Sequence, residues 1–150
     1  MISCFLVFFA SCIKDNDIPD IAIRDIINMM EETADYSVPA EKNLLLGKTA
    51  VEYGISTDSI EEGIVYYDAD PKNTSEIIII TAKDKDKAIS IEQTLVSVKT
   101  DFVKALENDP SQIEKSRNII LRMTGKTCIL ILNDNAEELE KIFENIFKKV

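Results

Sequence analysis

Four consecutive isoleucines, Ile77, Ile78, Ile79 and Ile80, stand between the turn-rich residues 70–75 and the charged residues 83–87. β-Branched side chains suit a pleated surface better than a helix. Apolar residues on both faces predict an interior strand, covered above and below. The rest of the chain is patterned around it. Ile23, Ile26, Ile27 and Met30 share one helical face, with Asp20 as N-cap after Pro19 and a stop near Tyr36, before Pro39. A second helix is predicted over residues 41–53, with Gly54 as its left-handed C-cap and Leu44, Leu45, Val51 and Ile55 as its buried side. Residues 63–68 read as a strand, and residues 70–74 as turn chemistry, so this strand and the isoleucines predict a hairpin with a long loop.

Asp84 or Asp86 caps the longest predicted helix, residues 85–107. Its stripe is Ala88, Ile91, Leu95, Val98, Phe102 and Leu106, widened by Ile89, Val96 and Val103. Another helical turn is expected over residues 111–116. Residues 118–123 and 127–132 then predict a second hairpin, with Gly125 supplying the positive φ of its turn. Asp134 and Glu137 have capping-box spacing for a last helix, whose stripe is Leu139, Ile142, Phe143 and Ile146. Lys148 and Lys149 suit its negative end. The expected fold is α+β: an antiparallel sheet of about four strands, in the order helix, helix, hairpin, helix, hairpin, helix, with the isoleucine strand and residues 128–132 in the middle.

Composition narrows the function classes. Hydrophobic residues are 45% and charged ones 29%, and 150 residues suit one domain. The net charge of -10 argues against nucleic acid and against electrostatic docking on anionic lipid. The chain has no histidine, so the usual general base and the commonest transition-metal ligand are missing. Its three cysteines, Cys4, Cys12 and Cys128, show no disulfide framework or metal spacing. Cys128 lies in an apolar run and reads as a small core residue.

Residues 2–10 are apolar but too short to cross a bilayer, which takes about 20 residues. The length suits the apolar part of a secretory signal. It closes on Phe9-Ala10-Ser11-Cys12, which resembles the lipobox of bacterial lipoproteins. That resemblance implies a lipid on the Cys12 sulfur and removal of the segment containing Cys4. Phe9 stands where a leucine-like residue is usual, and no Lys or Arg precedes the apolar run. The plainer reading is a buried N-terminal strand. The abrupt polar turn at Lys14-Asp15-Asn16-Asp17 favours the leader. The expected organisation is a signal peptide over residues 1–11, a polar tether over 12–19 and a single α+β domain over 20–150.

Other candidate chemistry dissolves on inspection. Gly47-Lys48-Thr49 and Gly125-Lys126-Thr127 look like P-loop ends, but Lys42 and Ile120 occupy the position of the required earlier glycine. Asp15, Asp17 and Asp20, or Asp68 and Asp70, would suggest calcium. Pro19 and Ile26, or Lys72 and Ile79, fall at the fifth and twelfth loop positions, where an EF-hand needs ligands. Ser11 and Lys14 have dyad spacing but straddle the cleavage site, and Ser97 and Lys99 do not face each other on a helix. Tyr53, Tyr66 and Tyr67 are candidates for a ligand groove, though strand packing is their commoner role.

From Leu44 onward the chain resembles an uncharacterised lipoprotein family of Gram-positive bacteria, known as a domain of unknown function. The resemblance rests on residues 46–64 (LGKTAVEYGISTDSIEEGI), 75–83 (SEIIIITAK), 113–132 around Thr124-Gly125-Lys126, and Asn135-Ala136-Glu137-Glu138. It implies a lipid anchor at Cys12 and an extracytoplasmic location. It implies no activity, cofactor or catalytic residue. The leading expectation is a non-enzymatic lipoprotein on the outer face of the cell membrane, without cofactor, metal or nucleic-acid partner, whose domain binds a protein or envelope component. The alternative is a solute-capture lipoprotein for a small cationic or peptide ligand. An enzyme working with carboxylates alone would need two acids facing one cleft, a pair that spacing cannot locate.

Overall fold

The isoleucine run lies in β3 (Glu76–Ala82), and all four of its isoleucines are fully buried. Strand alternation sends Ile77 and Ile79 to one face and Ile78 and Ile80 to the other. Both faces are covered, so neither set meets water. The computed structural model describes residues 21–33, 41–44, 47–68 and 75–148. The leader with Cys4 and Cys12, the tether, the Asp20 cap, the Pro39 stop, the 70–74 turn and Lys149 lie outside them.

Among the described residues the sheet has five strands, one more than the two hairpins supply, all neighbours antiparallel: β1 (Glu41–Leu44), β2 (Ile60–Tyr67), β3, β5 (Thr127–Leu132) and β4 (Ile120–Thr124), in that spatial order. On one face lies α3 (Lys85–Glu107), with α4 (Ile113–Arg117) beside it. Ile91 and Leu95 of α3 meet Val65, Ile78, Ile80 and Leu130 there. On the other face, α1 (Ile23–Thr33) and α5 (Ala136–Lys148) close over Ile64, Ile77, Ile79, Ile129 and Ile131. Each aliphatic side chain so buried contributes about 1.5–3 kcal/mol.

The antiparallel α+β architecture follows the expected order, and β3 is the middle strand. The helix α3 occupies its predicted span, and Asp84 caps it by accepting from the Lys87 amide at 2.8 Å. Gly125, at φ 60°, turns β4 into β5.

Four expectations change. The helix predicted over 41–53 divides into β1 and the short α2 (Lys48–Glu52). Residues 41–44 hydrogen-bond along the edge of β2, a tertiary contact that periodicity within the segment cannot reveal. Gly47, at φ 56°, stands before α2 rather than inside a helix. Val51 therefore sits on the outside at 67% exposed, while Ala50 takes the buried position. On α3, Ile89 and Val96 are exposed at 40% and 51%, because one long helix on a sheet buries a stripe narrower than its apolar content. Asp134 does not serve as the expected cap: Asn135 begins α5, its carbonyl accepting from the Leu139 amide, and Asp134 turns to Lys115. At the start of α1, Glu62 of β2 accepts from the Ile23 amide at 2.9 Å, a cap supplied from across the fold.

Candidate functional site

The end of β5 carries the chain to the edge of a cleft. Asn133, buried, donates from Nδ2 to Ser75 Oγ at 2.7 Å, and its Oδ1 accepts from the Asn135 amide at 2.8 Å. These bonds fix the turn that starts α5. Between that turn and the end of α4 lies a cleft of about 400 Å³, lined by Asn118, Asp134, Asn135, Glu137, Glu138 and Lys141. Lys115 of α4 is 7% exposed, and its ammonium is 3.3 Å from an Asp134 carboxylate oxygen. Glu137 and Glu138 occupy the first turn of α5, where the helix dipole favours negative charge. The lining carries three acids against one lysine, Lys141, and of the three only Asp134 is paired with Lys115, so the cleft keeps a net negative charge. Acids in the first turn of a helix serve the helix itself; beyond that they offer a weak landing place for an amine or cation.

A second polar group lies at the start of β3. Tyr53 donates its phenol proton to Glu76 at 2.5 Å. Burial pushes the Glu76 carboxyl above the usual carboxylate range, opposed by the Tyr53 hydrogen bond. Burial also pushes the Tyr53 phenol up, and the Glu76 carboxylate pushes it further. Tyr66 is likewise raised, by burial and then by Glu31, to which its hydroxyl donates at 3.1 Å. Tyr66 and Tyr67 are adjacent on β2 and so point to opposite faces. Tyr53 and Tyr66 belong to different sides of the sheet, and the three tyrosines form no common groove.

Cys12, proposed for lipidation, lies outside the described residues. Cys128 is buried, its thiol 3.6 Å from the Ala88 carbonyl oxygen, and burial pushes it up to about 12. A thiol held neutral in this way is not a nucleophile. Among the described residues, no group of three or more Cys, Asp or Glu is placed to hold a metal ion. The residues that spacing could not find are Glu76, Lys115 and Glu62. Each has its partner far away in the chain, and the one visible hint was a lone acid opening an all-isoleucine strand.

A family model for a domain of unknown function, DUF4358, matches residues 34–133, well over half of the chain. The chain belongs to the DUF4358 family. No curated protein and no solved structure matches it. The DUF4358 region contains all five strands with α2, α3 and α4. Both helices of the other face, α1 and α5, fall outside it, as does most of the cleft lining. Three of the four resembling stretches lie within the DUF4358 match, and the closing Asn135-Ala136-Glu137-Glu138 lies beyond it.

Proposed function

We propose that this DUF4358 chain is a lipoprotein of Gram-positive type, held at the outer face of the cell membrane by a lipid on Cys12. Its domain is a non-enzymatic module that binds a protein or an envelope component. The observation that carries the reading is the apolar run of residues 2–10, ending in Phe9-Ala10-Ser11-Cys12 and followed at once by Lys14-Asp15-Asn16-Asp17. Cleavage before Cys12 leaves ten residues between the anchor and α1, a reach of at most about 36 Å. Two acyl chains on one cysteine anchor stably without a basic patch, which suits a chain of net charge -10. Within the domain, the polar groups that the fold buries are engaged in holding it together, as in Asn133–Ser75 and the Thr81–Thr127 hydroxyl pair at 3.1 Å. Fractionation tests the anchor: Cys12→Ser should move the protein from membranes to the soluble fraction. Equal membrane retention of the variant refutes it.

The acidic lining of the cleft beside α5 supports a second reading, capture of a small cationic or peptide ligand. A ligand-dependent rise in Tm, screened over amines, peptides and divalent cations, favours this reading. An unchanged Tm across the screen removes it.

A further inference from the structure

We propose that residues 47–54, which carry α2, form a strap governed by one proton: the bond from Tyr53 to Glu76 keeps it closed in acid, and ionisation of Glu76 lifts it. The inference goes beyond the binding role given above and holds whether or not Cys12 carries a lipid.

The strap has hinges and a light hold. Among the described residues, positive φ occurs at three glycines, and two of them, Gly47 at 56° and Gly54 at 73°, bracket α2. A side chain at Gly54 would have room, its nearest neighbour being Thr94 Cγ2 at 3.8 Å, so glycine serves the backbone turn there rather than close packing. Five residues are too few for a helix to stand alone. Ala50 is buried in the α3-face core, whereas Val51 and Glu52 are exposed and Tyr53 is half-buried. A methyl group buries little apolar area. The stronger hold is the phenol proton that Tyr53 donates to Glu76 at 2.5 Å.

The surroundings of this pair make the hold depend on charge. Around it lie Glu52 on α2 and Tyr67, the ladder partner of Glu76 on β2, with Asp68 following at the end of that strand. Leu132 faces Glu76 from β5, and α3 brings Val98 and Phe102 to the same cluster. None of these is a cation. Ionising Glu76 strengthens its bond to Tyr53, but it also sets a charge beneath the strap, away from water. The second effect is the larger, because burial holds the carboxyl above the usual carboxylate range in spite of the phenol. Lifting the strap on its glycines admits water to the charge, and the margin of the α3 face then opens.

Hydrogen exchange of the full chain carrying Cys12→Ser tests the strap. The amides of Tyr53, Gly54 and Ile55, bonded to the Ala50 and Val51 carbonyl oxygens, report its closure. After correction for intrinsic exchange, their protection should fall as pH rises above the ordinary carboxyl value of 4.5, by up to about tenfold per pH unit, and then level off. The amides of Ile78 and Ile80 in β3 should keep theirs. Glu76→Gln retains an acceptor for Tyr53 but cannot ionise, so the fall should vanish. Tyr53→Phe should lower the strap's protection several-fold even in acid. Flat protection in the native strap, an equal fall in Glu76→Gln, a parallel fall in β3, or unchanged protection in Tyr53→Phe overturns the proposal. The comparison of strap and β3 amides within one chain needs no variant, so the test stands even if a variant fails to fold.

Discussion

The two faces of the sheet carry similar aliphatic rows but are closed by different means. Over one face runs the 23-residue helix α3, which with the short α4 connects β3 to β4 and lies inside the DUF4358 region. Over the other lie α1 and α5, which flank that region in the chain and meet each other across the isoleucines. The α1/α5 face is framed by neutral polar pairs: Ser75–Asn133 at one end and Thr81–Thr127 at the other. The α3 face ends instead in a carboxyl, Glu76, under Tyr53. The aliphatic rows of one face thus end in neutral hydrogen bonds, with Glu31 and Glu62 meeting that face only beside α1, whereas the rows of the other end directly in a titratable carboxyl. The contrast also says where stability resides. The helices outside the family region supply half of the sandwich, so that region alone would expose Ile77, Ile79, Ile129 and Ile131.

Removing the largest fully buried side chain among the described residues of the α1/α5 face should hurt most. Phe143 is fully buried and meets Phe147 edge-on, with ring centroids 5.0 Å apart. Phe143→Ala should cost about 3–5 kcal/mol in urea unfolding. Leu95→Ala, on the α3 face, should cost about 2–5 kcal/mol. A much larger loss at Leu95 than at Phe143 would break the view that both layers are essential. Asn133→Ala strips a buried donor and acceptor from the frame and should cost about 1–3 kcal/mol by the same measurement.

Glu76→Gln sharpens the electrical contrast. Burial holds the folded carboxyl above its ordinary value of 4.5, so folding favours the protonated form. Its stabilising contribution is complete below 4.5 and is lost as pH rises through the raised value. The variant should therefore gain on the native chain as pH rises through that window, and match it most closely in acid. Denaturant midpoints taken across the range check the sign, and a variant that instead loses ground with rising pH contradicts it. The smallest effect belongs to Val96→Thr on the exposed side of α3, expected within about 0.5 kcal/mol of the native chain in thermal unfolding.

Local signals were readable wherever a segment's own pattern decided its structure. The Asp84 cap, the span of α3, the Gly125 turn and the burial of the isoleucines all follow from residues close in the chain. What stayed hidden depended on distant partners. Residues 41–44 became a strand because β2 offered an edge. Asp134 left its expected cap for Lys115, and Ile23 drew its cap from Glu62. Periodicity ranked Ile89 and Val96 with the core because it counts apolar residues on a face and cannot see how wide the covering sheet is. The Glu76–Tyr53 pair was invisible for the same reason, since 23 positions separate its members.

The proposed role rests on a lipid at Cys12, and the mass of the protein extracted from membranes tests it most directly. The account predicts a mature chain that begins at Cys12 and carries the added mass of a diacylglycerol, with that addition absent in Cys12→Ser. A membrane-extracted chain that retains residues 1–11 with an unmodified Cys12 would contradict it.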